Sequence, residues 1–283
     1  ITLRGGTINF GSTLAGGTEN LIITGNLDLD GAATGLGTLS VSGTSNLGAS
    51  VTSSGTQSFG TDNSDLTTLS ANTVVLTAAD ADIDMRSIDG NANNLTFNTG
   101  SGAAGGAGAV TVEGDVTSIG TLTLTDSGGA TFNGSVAATT VAITDQDAAG
   151  DTVIFNDTLT ATALTVAAGS VVYDVELNGG GTITNAVTFA NTGTLQIGNS
   201  NTDNMLFTNG LTVSAPSALT LGGTIRTTNT AITLDTASTL NANTTFNAGA
   251  AAIVVSSTIQ GGAAENNLVL TNTGAGNDIT ISA

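Results

Sequence analysis

Residues 131–143 read TFNGSVAATTVAI, and residues 154–166 read IFNDTLTATALTV. The Phe-Asn pair, the aliphatic residue four places after the Phe and the closing aliphatic pair coincide when Phe132 is aligned with Phe155. Self-similarity at a period above about 20 residues is typical of solenoids and other arrays, in which each repeat is one structural unit stacked on the next.

Looser copies of this unit surround it. Residues 206–211 read LFTNGL, and the spacing from Phe189 to Phe207 is slightly shorter than that from Phe132 to Phe155. Phe97 and Phe246 are each followed by Asn and resemble degenerate copies. The pattern predicts one coil per repeat, with a period of roughly 20 residues and connecting loops of variable length.

The local pattern is that of short strands. Residues 121–125 read TLTLT and residues 26–30 read NLDLD, so apolar and polar side chains alternate with period two. This alternation predicts strands, and the clusters of Gly, Asn, Asp and Ser between them predict turns. Proline removes a donor from a strand ladder, and the chain has one, Pro216.

We therefore predict an all-β fold, a right-handed parallel β-helix with coils of roughly 20 residues. It would form a single continuous β-solenoid over residues 1–283, with about 13 coils and a length of roughly 60 Å at ~4.8 Å per coil. Tandem β-sandwich domains are the alternative, and they would need longer strands and linkers every ~100 residues. Only Ser101 to Gly108 looks like a linker.

Both ends of the sequence are already in strand pattern. The chain opens with Ile1-Thr2-Leu3 rather than Met, and residues 279–281 read ITI. We expect the chain to be a segment of a longer secreted repeat protein.

The composition excludes several classes of function. The chain has 22 acidic residues against three arginines, a net charge of −19, which repels the phosphates of nucleic acids and anionic lipids. The longest apolar run, residues 250–255, is far short of the roughly 20 residues that a membrane-spanning helix needs, so we expect no membrane insertion. His, Cys and Lys are absent, which leaves no base to activate a serine. We expect a protein that is not an enzyme.

Paired carboxylates are the remaining route to catalysis. Residues 80–85 read DADIDM, and the alternation places three carboxylates on the outer face of a strand and three apolar side chains on the inner face. Carbohydrate-active β-helix enzymes carry such acids beside a substrate cleft, together with aromatic residues that stack on sugars. With one Tyr and no Trp in the chain, we interpret the acids as a solvated face. The residues concerned are, outward, Asp80, Asp82 and Asp84 and, inward, Ala81, Ile83 and Met85.

One acidic segment is a candidate calcium site. Asp145, Asp147 and Asp151 occupy the first, third and seventh places of a loop with Gly150 at the sixth, which matches part of an EF-hand. The fifth place has no acid, and the twelfth is Asn156 rather than Glu. The alternative interpretation is a plain acidic turn, and we expect no other cofactor.

Threonine rows such as Thr121, Thr123 and Thr125 are also found in ice-binding solenoids, which present such rows in register on every coil. Here the alternation drifts along the sequence, which favours ordinary outward-facing strand residues.

The unit from Phe132 to Ile143 resembles those of the bacterial β-strand-repeat exoproteins, which include the filamentous-haemagglutinin-like and autotransporter-passenger adhesins. The shafts of these proteins are right-handed parallel β-helices. The resemblance covers nearly the whole chain, in its general sequence pattern rather than in a diagnostic motif, and it implies no catalytic residues. It implies export across a Gram-negative envelope and a role in adhesion, biofilm or surface structure.

We therefore expect an extracellular structural or adhesive protein on the cell surface, forming a stiff shaft or filament. Open coil ends are unpaired sheet edges, so we expect end-to-end self-association. Cell-surface or matrix glycans are the other expected partners. Two alternatives stay open: a calcium-bridged surface-layer or matrix protein, and a carbohydrate-active β-helix enzyme.

Overall fold

The computed structural model describes residues 1–102, 106–262, 265–274 and 278–282. Part of the linker-like segment from Ser101 to Gly108, residues 103–105, lies outside the described residues. The described part of the chain contains 32 strands and no helix, and therefore no helix long and apolar enough to cross a membrane.

The strands are short, and most hold only a few residues. In chain order they are β1 Thr2–Phe10, β2 Leu14–Ala15, β3 Leu21–Leu29, β4 Ala33–Leu36, β5 Leu39–Val41, β6 Ser45–Leu47, β7 Val51–Ser53 and β8 Gln57–Phe59. Next come β9 Thr67–Leu69, β10 Thr73–Ala78, β11 Ile83–Met85, β12 Ile88–Asp89, β13 Asn94–Asn98, β14 Val110–Val112, β15 Val116–Asp126 and β16 Ala130–Phe132. Then follow β17 Val136–Ile143, β18 Thr152–Phe155, β19 Leu159–Val166, β20 Asp174–Leu177, β21 Gly181–Ile183, β22 Val187–Phe189, β23 Thr194–Ile197 and β24 Asn204–Phe207. The last are β25 Leu211–Val213, β26 Ala218–Thr227, β27 Ile232–Leu234, β28 Ser238–Asn247, β29 Ile253–Val255, β30 Ile259–Gly261, β31 Leu268–Thr271 and β32 Ile279–Ile281.

These strands form three parallel ladders, which we call the first, second and third faces. The first face runs β1-β3-β5-β8-β11-β14-β16-β18-β20-β23-β26-β28-β30. The second runs β1-β3-β6-β9-β12-β15-β17-β19-β21-β24-β26-β28-β31. The third runs β2-β4-β7-β10-β13-β15-β17-β19-β22-β25-β27-β29-β32. Long strands such as β15 and β26 bend around a corner and belong to two faces.

The fold is therefore a parallel β-solenoid of about 13 coils with about 21 residues per turn. This confirms the predicted solenoid. The β-sandwich alternative is wrong, because sandwich sheets are antiparallel and the pairings in the described residues are parallel. A coil, numbered 1 to 13 below, is one passage through the three faces.

Coil length varies because the corners differ. On the first face Leu39 pairs with Gln57 in the next coil, and Ile83 pairs with Val110 in the next coil. The turn from Ile83 to Val110 contains half as many residues again as the turn from Leu39 to Gln57. Most strand pairs keep an unbroken register, with a shift in a few of them such as β13–β15 and β15–β17, and most of the additional residues lie between the strands. At one tight corner Gly25 has φ +135°, and a Cβ there would lie 1.9 Å from the carbonyl oxygen of Gly5, so no larger residue fits.

Aliphatic and aromatic side chains stack in columns inside the coils. On the first face one column contains, in successive coils, Val112, Phe132, Phe155 and Leu177. The rings of Phe132 and Phe155 are 5.0 Å apart at their centroids and nearly parallel, at 6°. The register predicted from the two sequence copies is therefore confirmed.

The looser copies occupy other faces, so that part of the predicted repeat register is wrong. Phe97 and Phe189 lie on the third face, whereas Phe207 and Phe246 lie on the second. Phe189 and Phe207 meet edge to face across the interior, 6.3 Å apart at 84°. The stretch between them is less than one full passage, and it resembles a repeat because all three faces accept a phenylalanine in the same kind of interior position.

Coils 3 and 4 hold polar groups in the interior. Gln57 is fully buried between Leu39 and Ile83, and its Nε2 donates 2.8 Å to the Thr77 carbonyl oxygen and 3.1 Å to Ser53 Oγ. Its Oε1 is buried without a hydrogen-bond partner, and so is the Oγ of Ser45 on the second face of coil 3. An unpaired buried acceptor costs roughly 1–3 kcal/mol, so this is a weak point of the core.

Candidate functional site

An amide ladder runs along the corner that follows the first face in coils 6 to 9. Asn133 Nδ2 donates to Glu113 Oε2 at 2.9 Å, and Asn156 Nδ2 donates to Asn133 Oδ1 at 2.8 Å. Asn178 Nδ2 continues the series to Asn156 Oδ1 at 3.1 Å. The Asn that follows Phe132 and the Asn that follows Phe155 thus each bond to the coil before, while the two phenylalanines stack inside. The repeated dipeptide is explained by stacking rather than by a binding site.

A shorter version of the ladder lies on the second face of coils 1 to 3. The carboxylate of Asp28 accepts hydrogen bonds from Asn9 Nδ2 at 2.6 Å and from Asn46 Nδ2 at 2.8 Å. Part of the acidic surface is therefore bonded from coil to coil.

The candidate calcium residues Asp145, Asp147 and Asp151 lie in the connection between β17 and β18. Asp145 Oδ1 accepts from the backbone N–H groups of Gln146 and Ser170, both at 2.9 Å. Asp147 is buried and its Oδ2 accepts from Ala107 N at 3.2 Å, two coils before. Asp151 Oδ2 accepts from Ala148 N at 2.7 Å and closes the turn. Each carboxylate contacts backbone donors.

Asp126, Asp145 and Asp147 line one shallow cleft of about 350 Å³. Burial raises the pKa of Asp126, and the charges of Asp147 and Asp145 raise it further. Burial also acts to raise the pKa of Asp145, but hydrogen bonds from Ser170, Gln146 and Val171 outweigh it and hold that pKa below its usual value. The cleft is thus a region of negative potential.

Within residues 1–102, 106–262, 265–274 and 278–282, the acidic side chains form no group of three arranged to hold a metal ion. The EF-hand match brings three acids close in sequence, but in the structure their oxygens accept from different backbone groups. Calcium binding at Asp145, Asp147 and Asp151 remains a prediction.

The second acidic segment is split between a turn and a strand. Ile83 and Met85 are buried in β11, and Asp84 between them points outward, as the alternation predicts. Asp80 lies in a turn with φ +57°, and its Oδ2 accepts 2.7 Å from Ser101 Oγ. Asp82 precedes the strand and accepts 2.9 Å from Ala109 N. The three carboxylates therefore do not form one row on one strand.

A row of threonines crosses the third face in register, contrary to the drift inferred from the sequence. Each of these residues is the outward centre of an apolar-Thr-apolar strand, and in coil 7 the position is occupied by alanine. We call the row the threonine rank: Thr96, Thr123, Thr165, Thr188, Thr212 and Thr233. Variable corners hide the rank in the sequence, although the recurring triplets LTF, LTL, LTV, VTF and ITL were a visible signal.

In comparisons with known proteins, no family model, no curated protein and no solved structure matches this chain.

Proposed function

We propose that this chain is a stiff extracellular shaft, a structural or adhesive element without catalytic activity, which associates end to end. Secretion to the surface of a Gram-negative bacterium belongs to the same proposal. It rests on the fold and on the resemblance of the Phe132–Ile143 unit to the exoprotein shafts.

The main support is the continuity of the three ladders. Successive coils are bonded to each other on the faces, and the interior is filled by buried aliphatic and aromatic residues from Leu21 to Val255. Bending such a body must stretch ladder bonds on one side and compress packed columns on the other, since interiors are close-packed.

Exposed interior positions in the last described coil support association along the axis. Ile279 and Ile281 pair with the buried residues Ile253 and Val255 and so point toward the interior, yet they are 43 % and 54 % exposed. A further coil, from the same chain or a second molecule, would cover them and pair the open strand edge. Unpaired edges act as templates for such pairing.

Electron microscopy of negatively stained protein, with calcium and then with chelator, tests this proposal. We expect thin filaments many times longer than the roughly 60 Å of about 13 coils at ~4.8 Å each, and we expect them to survive chelation. Filaments or sheets that dissolve with chelator would favour the calcium-bridged layer, with the cleft at Asp126 and Asp145 as the first place to examine. Isolated rods in both conditions would refute self-assembly.

A matched pair of variants separates axial docking from nonspecific aggregation. Ile281→Lys places a charge on the interior side of the last coil, a known way of blocking a sheet edge. Gln260→Lys adds the same charge to the same coil, but on the outward side of the first face. We expect Ile281→Lys to abolish long filaments and Gln260→Lys to leave them. Equal filament lengths for the two variants would contradict end-to-end stacking.

A further inference from the structure

Two loops at one corner of the solenoid share a sequence pattern. Residues 60–65 read GTDNSD and residues 198–203 read GNSNTD, so both follow Gly-x-x-Asn-x-Asp, which occurs at these two places only in the sequence. Each loop connects the first face to the second, between β8 and β9 in coil 4 and between β23 and β24 in coil 10. We call them the coil-4 loop and the coil-10 loop.

The coil-10 loop is a closed turn. It begins at Gly198, whose φ of +72° lies in the left-handed region that glycine adopts readily. It ends at Asp203, whose Oδ2 accepts hydrogen bonds from Asn199 N and Ser200 N, both at 2.8 Å. Local bonds of this kind between a side chain and the backbone fix the conformation of a turn. The asparagine in the middle of the turn, Asn201, is therefore held in place.

The coil-4 loop closes in the same way. It begins at Gly60, with φ +84°, and ends at Asp65. The Oδ2 of Asp65 accepts from Thr61 N at 2.7 Å and from Asp62 N at 3.1 Å. These hydrogen bonds hold the pKa of Asp65 below its usual value. The asparagine in the middle of this turn is Asn63.

The side chain of Asn201 reaches past the next coil. Its Oδ1 accepts 2.7 Å from the backbone N–H of Asn243, which belongs to β28 in coil 12. A second bond spans the same gap, from Asn241 Nδ2 to Gln196 Oε1 at 3.2 Å. The ladder bonds of β26 join coil 11 to its two neighbours, whereas these side-chain bonds join coil 10 directly to coil 12.

The corner of coil 11 is short enough to be bridged. In coil 11 one residue separates Leu221 from Gly223. In coil 12 three residues separate their partners, Leu240 and Thr244, and this longer corner meets the coil-10 loop. A Cβ on Gly223 would lie 2.4 Å from the carbonyl oxygen of Asp203, so the corner beneath the loop needs glycine.

The coil-4 loop makes the corresponding contacts. The carbonyl oxygen of Asn63 accepts 2.8 Å from Ser87 Oγ in coil 5. Asn63 Nδ2 donates to the carbonyl oxygen of Glu113 in coil 6 at 3.4 Å, a longer and weaker bond. The corner of coil 5 is also short, because only Arg86 and Ser87 lie between β11 and β12. The same sequence pattern thus produces a bond that skips one coil at two places along the axis.

We propose that these two loops are clasps, each of which locks three successive coils into one unit that opens and closes together. In a simple solenoid each repeat contacts only its neighbours, so one coil can open while the next coil but one stays folded. The bonds between coils 10 and 12 cross the corner of coil 11, so coil 11 cannot leave the stack until they break. Opening of coil 10 or coil 12 breaks the same bonds. Opening of any one of the three therefore destabilises the other two.

The coils between the two clasps are joined differently. The amide ladder of Asn133, Asn156 and Asn178 links neighbouring coils only. We therefore expect coils 7 to 9 to open singly and before the clasped coils. This proposal concerns the folded chain by itself. It is independent of export and of end-to-end association, so each proposal can fail without the other.

Hydrogen exchange followed by mass spectrometry, at one dilute protein concentration, tests the clasp in coils 10 to 12. The cutting variant is Asn201→Ala, which removes the acceptor for Asn243 N and keeps the turn that Asp203 closes. The matched control is Asn199→Ala in the same exposed loop, because the bond from Asn199 to Asp203 comes from the backbone and is retained. Asn201→Asp keeps an oxygen acceptor and is the rescue variant. Circular dichroism confirms that each variant retains its strand content.

We expect Asn201→Ala to speed exchange in β24, β26 and β28, one strand from each of the three coils, by one common factor. That factor should lie between about twofold and tenfold, the effect of one hydrogen bond on an opening equilibrium. Exchange in β16, β18 and β20 should be unchanged. Asn199→Ala and Asn201→Asp should exchange like the unmodified chain.

The coil-4 loop provides a second, independent test. Asn63→Ala should speed exchange in β9, β12 and β15 by a common but smaller factor, because its bond to Glu113 is longer. Three outcomes would overturn the proposal: a rise confined to the Asn243 amide in Asn201→Ala, rises that differ between coils 10, 11 and 12, or an equal rise in Asn199→Ala.

Discussion

Replacing Phe155 by alanine removes half of the stacked ring pair at the centre of the solenoid. Phe155 is 1 % exposed, and its ring lies against that of Phe132 at 5.0 Å. Truncation of a buried phenylalanine costs about 3–5 kcal/mol, and a stacked aromatic pair contributes about 0.5–1.5 kcal/mol beyond its buried area. The ladder bonds from β18 to β16 and β20 hold the coils apart, so the cavity cannot collapse. We expect a loss of about 4–5 kcal/mol from the local free energy of unfolding.

The loss should be confined to the neighbourhood of coil 8, because solenoid stability is a sum of nearest-neighbour terms. Hydrogen exchange followed by mass spectrometry measures the opening free energy of each segment, and urea unfolding by circular dichroism gives the global effect. We expect lost protection in β16, β18 and β20, with β5 and β29 unchanged.

Two comparisons make the magnitude interpretable. Phe246→Ala removes a fully buried ring on the second face, outside this stack, so its smaller effect isolates the contribution of the ring pair. A double-mutant cycle with Phe132→Leu and Phe155→Leu should give a coupling of about 0.5–1.5 kcal/mol. A loss below about 1.5 kcal/mol for Phe155→Ala, or equal loss of protection in β5 and β29, would refute this reasoning.

Three further changes test separate parts of the structure. Gln57→Leu removes the unpaired Oε1 and fills the column between Leu39 and Ile83. We therefore expect the free energy of unfolding, measured in urea, to rise by about 1 kcal/mol. A fall would mean that the hydrogen bond from Nε2 to the Thr77 carbonyl oxygen contributes more than the unpaired acceptor costs. Asn156→Ala deletes the hydrogen bonds to Asn133 and Asn178 and should lower the unfolding free energy by about 1–2 kcal/mol, and unchanged exchange rates across coils 7 to 9 would count against the ladder. The pKa of Asp126 is raised in the folded state, so its ionisation lowers the free energy of unfolding as pH rises above about 4. Asp126→Asn should therefore stabilise the protein at neutral pH and reduce the loss of stability between acid and neutral pH. Identical profiles of stability against pH for the two proteins would exclude the effect.

Much of the fold was predictable because period-two alternation and turn residues are local signals. Ile83 and Met85 point inward as predicted, and Phe132 and Phe155 lie in one column as the repeat indicates. The repeat register predicted from Phe189 and Phe207 was wrong because interior positions have the same sequence pattern on all three faces. Only the pairing of coils shows which face a residue occupies.

The candidate sites were less predictable, since they depend on register between coils. The spacing of Asp145, Asp147 and Asp151 matched a calcium loop, but spacing carries no information on the backbone donors at Gln146 and Ala148 that these acids contact. The threonine rank was missed because the register between coils aligns its members although their spacing in the sequence is irregular. Neighbouring members are unevenly spaced along the chain, because the corner lengths that separate them have no fixed period.

If the solenoid serves as the proposed shaft, the direction of its ladder bonds determines how it responds to tension. The bonds lie along the axis, so pulling on the two ends loads the coils in series and the weakest coil opens first. One coil of about 21 residues extends to about 70 Å at ~3.4 Å per residue, while it occupied only ~4.8 Å in the folded stack. A sudden pull is therefore absorbed by the release of one coil at a time, and the remaining coils keep their structure and can rewind the released segment when the load falls.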